Sequence, residues 1–131
     1  MTLSTADQLE ILDIVHRADE AASHRHADGY IALFTPDAIL DGAQGSYSGR
    51  EALRAAVGKV WAAEGPSTLH LALNPVIEAG EQNGEAVVRS VLLIVSPGAP
   101  AVIQATALIR QELRRDGNSW RITRRTVTPA G

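Results

Sequence analysis

The chain of 131 residues contains no cysteine. This absence excludes thiol nucleophiles, disulfide bonds and thiolate metal sites, and nothing in the composition requires an oxidising compartment. No apolar run approaches the roughly 20 residues that a membrane-spanning helix needs. The N-terminal segment also lacks the basic and apolar regions of a secretion signal. We therefore expect a cytoplasmic protein with no membrane partner.

The sequence also has no excess of basic residues, since its 12 Lys+Arg and 15 Asp+Glu give a formal net charge of -3. A nucleic-acid-binding surface usually needs a basic balance, so no nucleic-acid partner is expected. Arginines do gather in the last quarter of the chain, but strands that alternate faces would divide them between two sides. They are interpreted as a solvated sheet edge rather than a phosphate-binding surface. These arginines are Arg110, Arg114, Arg115, Arg121, Arg124 and Arg125.

The length suits one domain over residues 1–131, and its first half carries helical patterns. Ser4 with Asp7 resembles a capping box ahead of apolar residues at helical spacing, and Ser48 with Glu51 repeats that pattern further on. A short second helix lies between them. The predicted elements are helices over 5–24 and 27–34, a brief strand over 38–41, a loop over 42–49, and a third helix from the second capping box to Gly65-Pro66.

The second half reads as four strands separated by turn signals. They are predicted over 68–78, 85–96, 101–113 and 119–128. Helices followed by hairpin-linked strands indicate an α+β fold with a mainly antiparallel sheet. The second strand is apolar on both faces, whereas three helices can cover only one. A second copy of the chain is therefore expected on the outer sheet face, as a homodimer.

His70 is the leading candidate for a functional residue, because it is a lone imidazole among aliphatic neighbours. Imidazole side chains titrate near neutral pH, so one that faces an apolar cavity can act as an acid or base. Histidines on half-buried strands are also often structural, with ring nitrogens bonded to backbone or water. His24 and His26 lie two residues apart, on different sides of a helix, so no metal site is predicted.

The order of elements, together with residues 33–38 (LFTPDA), 47–53 (YSGREAL) and 118–125 (NSWRITRR), resembles the SnoaL-like branch of the nuclear transport factor 2-like superfamily. The resemblance covers nearly the whole chain. It implies a cone-shaped, cystatin-like α+β barrel in which a curved sheet wraps the long helix and leaves a deep apolar pocket. Members of this superfamily include polyketide cyclases, scytalone dehydratase and ketosteroid isomerase. The resemblance to them implies cofactor-independent proton transfer on an apolar cyclic substrate.

Within that frame, the dehydratases resemble this chain best at His70, which implies the acid/base role. Ala22 and Ser23 stand where those enzymes place a tyrosine and an aspartate, and Ser90 where scytalone dehydratase has a second histidine. The carboxylate that would orient His70 is therefore expected to be Asp41 or Asp19. The residues expected to bind substrate are Tyr30, Ser23, Ser90, Trp61, Phe34, Val57, Val88 and Leu92.

Three functions stay open at this point. The first is a lyase or isomerase in which His70 shuttles a proton. The second is a non-catalytic binding module for an apolar ligand, and the third is a scaffold with an exposed partner groove. A carboxylate within hydrogen-bond reach of a cavity-facing His70 would favour the enzyme, whereas a ring capped by backbone would favour the binding module.

Overall fold

Three helices and a six-stranded sheet make up the fold of the computed structural model, which describes residues 2–130. The helices are α1 (Thr5–Ser23), α2 (Ala27–Ile31) and α3 (Arg50–Glu64). The strands are β1 (Phe34–Gly42), β2 (Gly45–Ser48), β3 (Leu69–Ala79), β4 (Glu85–Ser96), β5 (Val102–Asp116) and β6 (Ser119–Pro129). The strand order is β2-β1-β6-β5-β4-β3, with β1 and β6 parallel and all other pairs antiparallel. The predicted α+β class with a mainly antiparallel sheet is confirmed.

The long first helix forms where the sequence predicts it. Ser4 Oγ accepts a hydrogen bond from the Asp7 amide at 3.0 Å, and the Asp7 carboxylate accepts one from the Ser4 amide at 3.2 Å. This capping box satisfies two amides that a helix start leaves without partners. The apolar stripe that follows packs against β3 and β6 and is interrupted by one buried acid, Asp19. No helix among residues 2–130 is both long and apolar enough to cross a membrane.

The segment between α2 and α3 differs from prediction. Residues 42–49 are not a loop, because they contain β2, and the preceding strand begins at Phe34 rather than 38. Pro36 is tolerated there because β1 leaves its register with β6 between Phe34 and Ile39, where no ladder hydrogen bond is required. The predicted capping box at Ser48 is also wrong. Ser48 belongs to β2 and pairs with Ile39 of β1, and Gly49, with a φ of 90°, takes the cap position of α3.

The two faces of the sheet have different environments. Alternate residues of β4, such as Val88 and Leu92, are buried beneath the helices. Leu69, Leu71 and Leu73 point to the other face of β3 and are each about two-fifths exposed. Register shifts in four of the strand pairs add to the curvature of the sheet, which stays open between β2 and β3. The helices therefore cover only the concave face.

Candidate active site

A cavity of about 650 Å³ lies between the helices and the concave face of the sheet. That volume is within the range of about 300–1,000 Å³ that small-molecule sites occupy. Most of its wall is apolar. The apolar side chains are Ala22, Leu40, Ala43, Ala56, Val57, Val60, Trp61, Ala63, Leu92, Ile94 and Val127. The polar ones are Tyr30, Gln44, Tyr47, Lys59, Glu64, His70, Gln104 and Arg125.

His70 and Glu64 form a buried pair in this wall. His70 lies on β3 and faces the cavity because strand alternation sends Leu69 and Leu71 to the opposite face. Its Nε2 is 2.7 Å from Oε1 of Glu64, and the two side chains are 6% and 7% exposed. Glu64 is the last residue of α3, and Gly65, with a φ of 101°, turns the chain back toward β3. This turn brings the helix end against the histidine.

Two further side chains hold the Glu64 carboxylate in place. Thr68 Oγ1 donates to Oε1 at 2.9 Å, and Nη2 of Arg25 lies 3.7 Å from the same oxygen. Arg25 also donates to Thr68 Oγ1 and to the Gly65 carbonyl, both at 2.6 Å, and to the Ala22 carbonyl at 2.7 Å. Arg25 itself adopts a φ of 55°, which is uncommon outside glycine. Its hydrogen bonds fix this backbone position at the end of α1.

The surroundings of Glu64 favour its ionised form. Burial acts to raise the pKa of Glu64, but His70, Thr68 and Arg25 outweigh burial, and the pKa is lowered from its ordinary value. A carboxylate at this position accepts the hydrogen of Nε2. In the neutral imidazole, acceptance at Nε2 selects one tautomer and leaves the other nitrogen, Nδ1, without a hydrogen.

Ser23 supports the histidine through its backbone. Its Oγ accepts a hydrogen bond from the His70 amide at 2.8 Å and lies 3.4 Å from the His70 carbonyl. Ser23 does not line the cavity. Ser23 therefore ties β3 to α1, while the carboxylate beside His70 comes from α3.

The two carboxylates expected beside His70 lie elsewhere. Asp41 accepts hydrogen bonds from Ser46 at 2.6 Å and Arg124 at 2.7 Å, and these bonds lower its pKa. Asp19 is buried, and its Oδ1 lies 3.4 Å from Nη2 of Arg125. Neither aspartate lines the cavity or bonds to the imidazole.

The expected substrate-binding residues divide into two groups. Tyr30, Trp61, Val57 and Leu92 line the cavity, whereas Phe34, Val88, Ser23 and Ser90 are outside its wall. The Tyr30 ring packs against Phe34 and, edge to face, against Trp61, with ring centroids 5.1 and 5.5 Å away. Burial raises the pKa of Tyr30, so its hydroxyl stays protonated.

Glu64 and Arg125 are the site residues that sequence reasoning missed. The available signal for Glu64 was a carboxylate at a helix end, six residues before the histidine. Arg125 was assigned to a solvated sheet edge, and this is wrong, because the residue lines the cavity and its side chain is only 5% exposed. Among residues 2–130, no three histidine, aspartate or glutamate side chains cluster in a way that could hold a metal ion.

The fold and its cavity define a cystatin-like α+β domain with a pocket of small-molecule size. The SnoaL-like domain model matches residues 4–126, and the chain belongs to that family, as the sequence resemblance predicted. No curated protein matches the chain.

Three solved structures illustrate the likeness in fold. A protein of unknown function with a cystatin-like fold from Nostoc punctiforme superposes with a TM-score of 0.91 at 23% identity, covering 99% of this chain and 96% of the other. Aln2 from a Streptomyces species gives 0.86 at 17% identity, covering 98% and 94%. A scytalone dehydratase-like protein from Novosphingobium aromaticivorans gives 0.80 at 19% identity, covering 96% and 85%.

The Glu64 carboxylate should stabilise the fold in a pH-dependent way. The pKa of Glu64 is lower in the folded state than its ordinary value. Its contribution to the free energy of unfolding is therefore fully present above the unfolded-state pKa and is lost as the pH falls through the folded-state pKa. We expect Glu64→Gln to reduce the free energy of unfolding by about 1–3 kcal/mol near pH 7. The difference from wild type should shrink between about pH 5 and about pH 3.

Urea denaturation across that range measures the difference. Glu81→Gln, the same change at an exposed turn position, is the control and should match wild type throughout. A Glu64→Gln deficit that stays constant down to the lowest pH would contradict the assignment of an ionised, stabilising carboxylate.

Proposed function

We propose that this protein is a cofactor-independent lyase or isomerase that moves a proton on an apolar cyclic substrate, with His70 as the acid and base. The observation that supports this most directly is the 2.7 Å contact between His70 Nε2 and the buried Glu64 carboxylate. A cavity-facing imidazole with a carboxylate partner is an arrangement suited to general acid–base catalysis.

Glu64 gives the imidazole two properties that a lone histidine lacks. By accepting the Nε2 hydrogen it leaves Nδ1 as a bare lone pair, which is the basic nitrogen available to a substrate. When Nδ1 takes a proton, the imidazolium is stabilised by the negative charge already held 2.7 Å away. The ring can then return that proton to the substrate.

The wall of the cavity supports the choice of substrate class. Apolar side chains from α1, α3, β1, β4 and β6 line the same cavity as the pair, so an apolar ring system would be bound by burial of its surface. The likeness to a scytalone dehydratase-like protein supports the reaction class by analogy of fold.

Replacement of His70 tests the proposal. His70→Gln retains the backbone contact to Ser23 but removes the base, so turnover should fall by about 100-fold or more. Turnover can be followed by NMR as deuterium uptake from D₂O, or as loss of water, across a panel of cyclic ketones and hydroxyketones. His16→Gln, the same change at an exposed position of α1, is the matched control.

Retention of wild-type turnover by His70→Gln would contradict the proposed role. Wild-type protein that binds panel members without exchange or dehydration would favour the binding module instead.

We also propose that the outer face of β3, β4 and β5 pairs with a second copy of the chain. Leu71, Leu73 and Leu108 lie on this face and are 41%, 38% and 54% exposed. Neighbouring apolar side chains of this extent mark an association surface more often than a solvated one.

A charge placed on this face should separate the copies. Wild-type protein is expected to show twice the chain mass by light scattering at micromolar concentration, and Leu71→Lys should show the single-chain mass. Glu20→Lys, at an exposed position of α1, should leave the mass unchanged. A monomeric wild type would overturn the pairing.

A further inference from the structure

The wall of the cavity ends in an exposed rim. The exposed wall residues form this rim, and they come from the turn between β1 and β2, the second half of α3 and the start of β5. Lys59, on α3, is the only charged residue among them. It is also the only lysine of the chain, because every other basic side chain counted with it is an arginine. The rim therefore carries one positive charge.

The charge of Lys59 is not balanced by the protein. The two charged side chains deeper in the wall, Glu64 and Arg125, have partners of opposite charge at 3.7 and 3.4 Å. Within residues 2–130, no carboxylate lies within ion-pair distance of the Lys59 ammonium. The residues three and four positions away from Lys59 on α3 are all alanine, so the helix itself offers no acidic neighbour. Lys59 is thus the cation of the wall that is free to meet a ligand.

Apolar side chains surround this cation on the cavity side. A lysine on an open surface is ordinarily solvated and needs no partner. The cavity wall beside Lys59, however, is formed by Ala56, Val60 and Ala63, and Val60 is 44% exposed. A molecule whose rings fill the cavity would cover these apolar groups and present its outer end to the ammonium. The surroundings suit a ligand with an apolar body and one anionic end.

Lys59 and the His70–Glu64 pair lie a moderate distance apart along the same helix. Lys59 precedes Glu64 by five residues of α3, which is a rise of about 7.5 Å along the helix axis. Glu64 in turn lies 2.7 Å from the His70 ring. This separation is comparable with the length of two fused rings. One bicyclic molecule can therefore reach both positions.

A single ammonium at a rim favours a carboxylate over other anions. The lysine ammonium is a point charge on a flexible stem, with three donors. Phosphate groups carry more charge and are usually held by several donors, often from arginine. Exposure of the rim also lets a carboxylate keep part of its hydration, so that its binding avoids the cost of burying a charge.

We propose that Lys59 is the specificity-determining residue of the cavity and selects apolar ring compounds that carry a carboxylate at the end away from His70. The inference rests on the proposed function and narrows its substrate from an apolar cyclic compound to an apolar cyclic acid. The rings enter first and are buried against the apolar wall, while the carboxylate stays at the rim beside Lys59.

A matched pair of ligands tests the role of Lys59 by binding alone. 2-Naphthoate and 2-naphthamide have nearly the same shape and differ in charge, and an apolar wall without a cation would prefer the neutral amide. We expect wild-type protein, measured by titration calorimetry near neutral pH, to bind 2-naphthoate about 3- to 5-fold more tightly. This preference should shrink at high ionic strength, which screens exposed charges.

Three variants assign the preference to one side chain. Lys59→Met removes the charge and keeps an unbranched apolar stem, so it should lose the preference while still binding 2-naphthamide. Lys59→Arg restores the charge and should keep the preference. Arg17→Met is the matched control, because it removes one positive charge from an exposed position of α1 outside the cavity wall, and it should also keep the preference.

His70→Gln separates this proposal from the proposed function, because it should lose turnover but keep the preference for 2-naphthoate. Wild-type protein that turns over panel compounds but binds 2-naphthoate no more tightly than 2-naphthamide would overturn the role of Lys59 alone. Wild-type protein that binds neither ligand would also overturn it. So would a Lys59→Met variant that keeps the preference, or an Arg17→Met variant that loses it to the same extent.

Discussion

The hydrogen bond between Glu64 and His70 is the interaction on which the site depends. It joins the end of α3 to the inner face of β3, and so joins two walls of the cavity at one point. Both side chains are more than nine-tenths buried, so removal of either partner would deprive the other of a hydrogen bond that water cannot replace. Arg25, just after α1, and Thr68, just before β3, also approach Oε1 of this carboxylate, whereas its Oε2 is buried without a hydrogen-bond partner within residues 2–130. The chemistry of the site thus follows from how the helix ends meet the sheet.

Asp19 and Arg125 form a buried ion pair in the same domain. Asp19 breaks the apolar stripe of α1 and meets Arg125 on β6. A buried ion pair is costly to desolvate and contributes little net stability, whereas loss of one partner would leave an uncompensated buried charge. The two pairs place one imidazole, that of His70, and one arginine, Arg125, in the wall of the cavity.

Local patterns predicted the fold well, whereas contacts between distant segments decided the site. The helix after Ser4 was predictable because its cap and apolar spacing lie within the helix itself. Strand β2 was missed because a short glycine-containing segment becomes a strand only through its pairing with β1. Glu64 was missed because a turn of four residues brings it to His70, and Arg125 because the face it occupies depends on the register of β6.

Nitrogen NMR of the His70 ring at neutral pH tests the central claim most directly. The account predicts the tautomer with hydrogen on Nε2 and a bare Nδ1, together with a strongly deshielded Nε2 proton that is lost in Glu64→Gln. A ring that carries its hydrogen on Nδ1, or a ring spectrum that Glu64→Gln leaves unchanged, would contradict it.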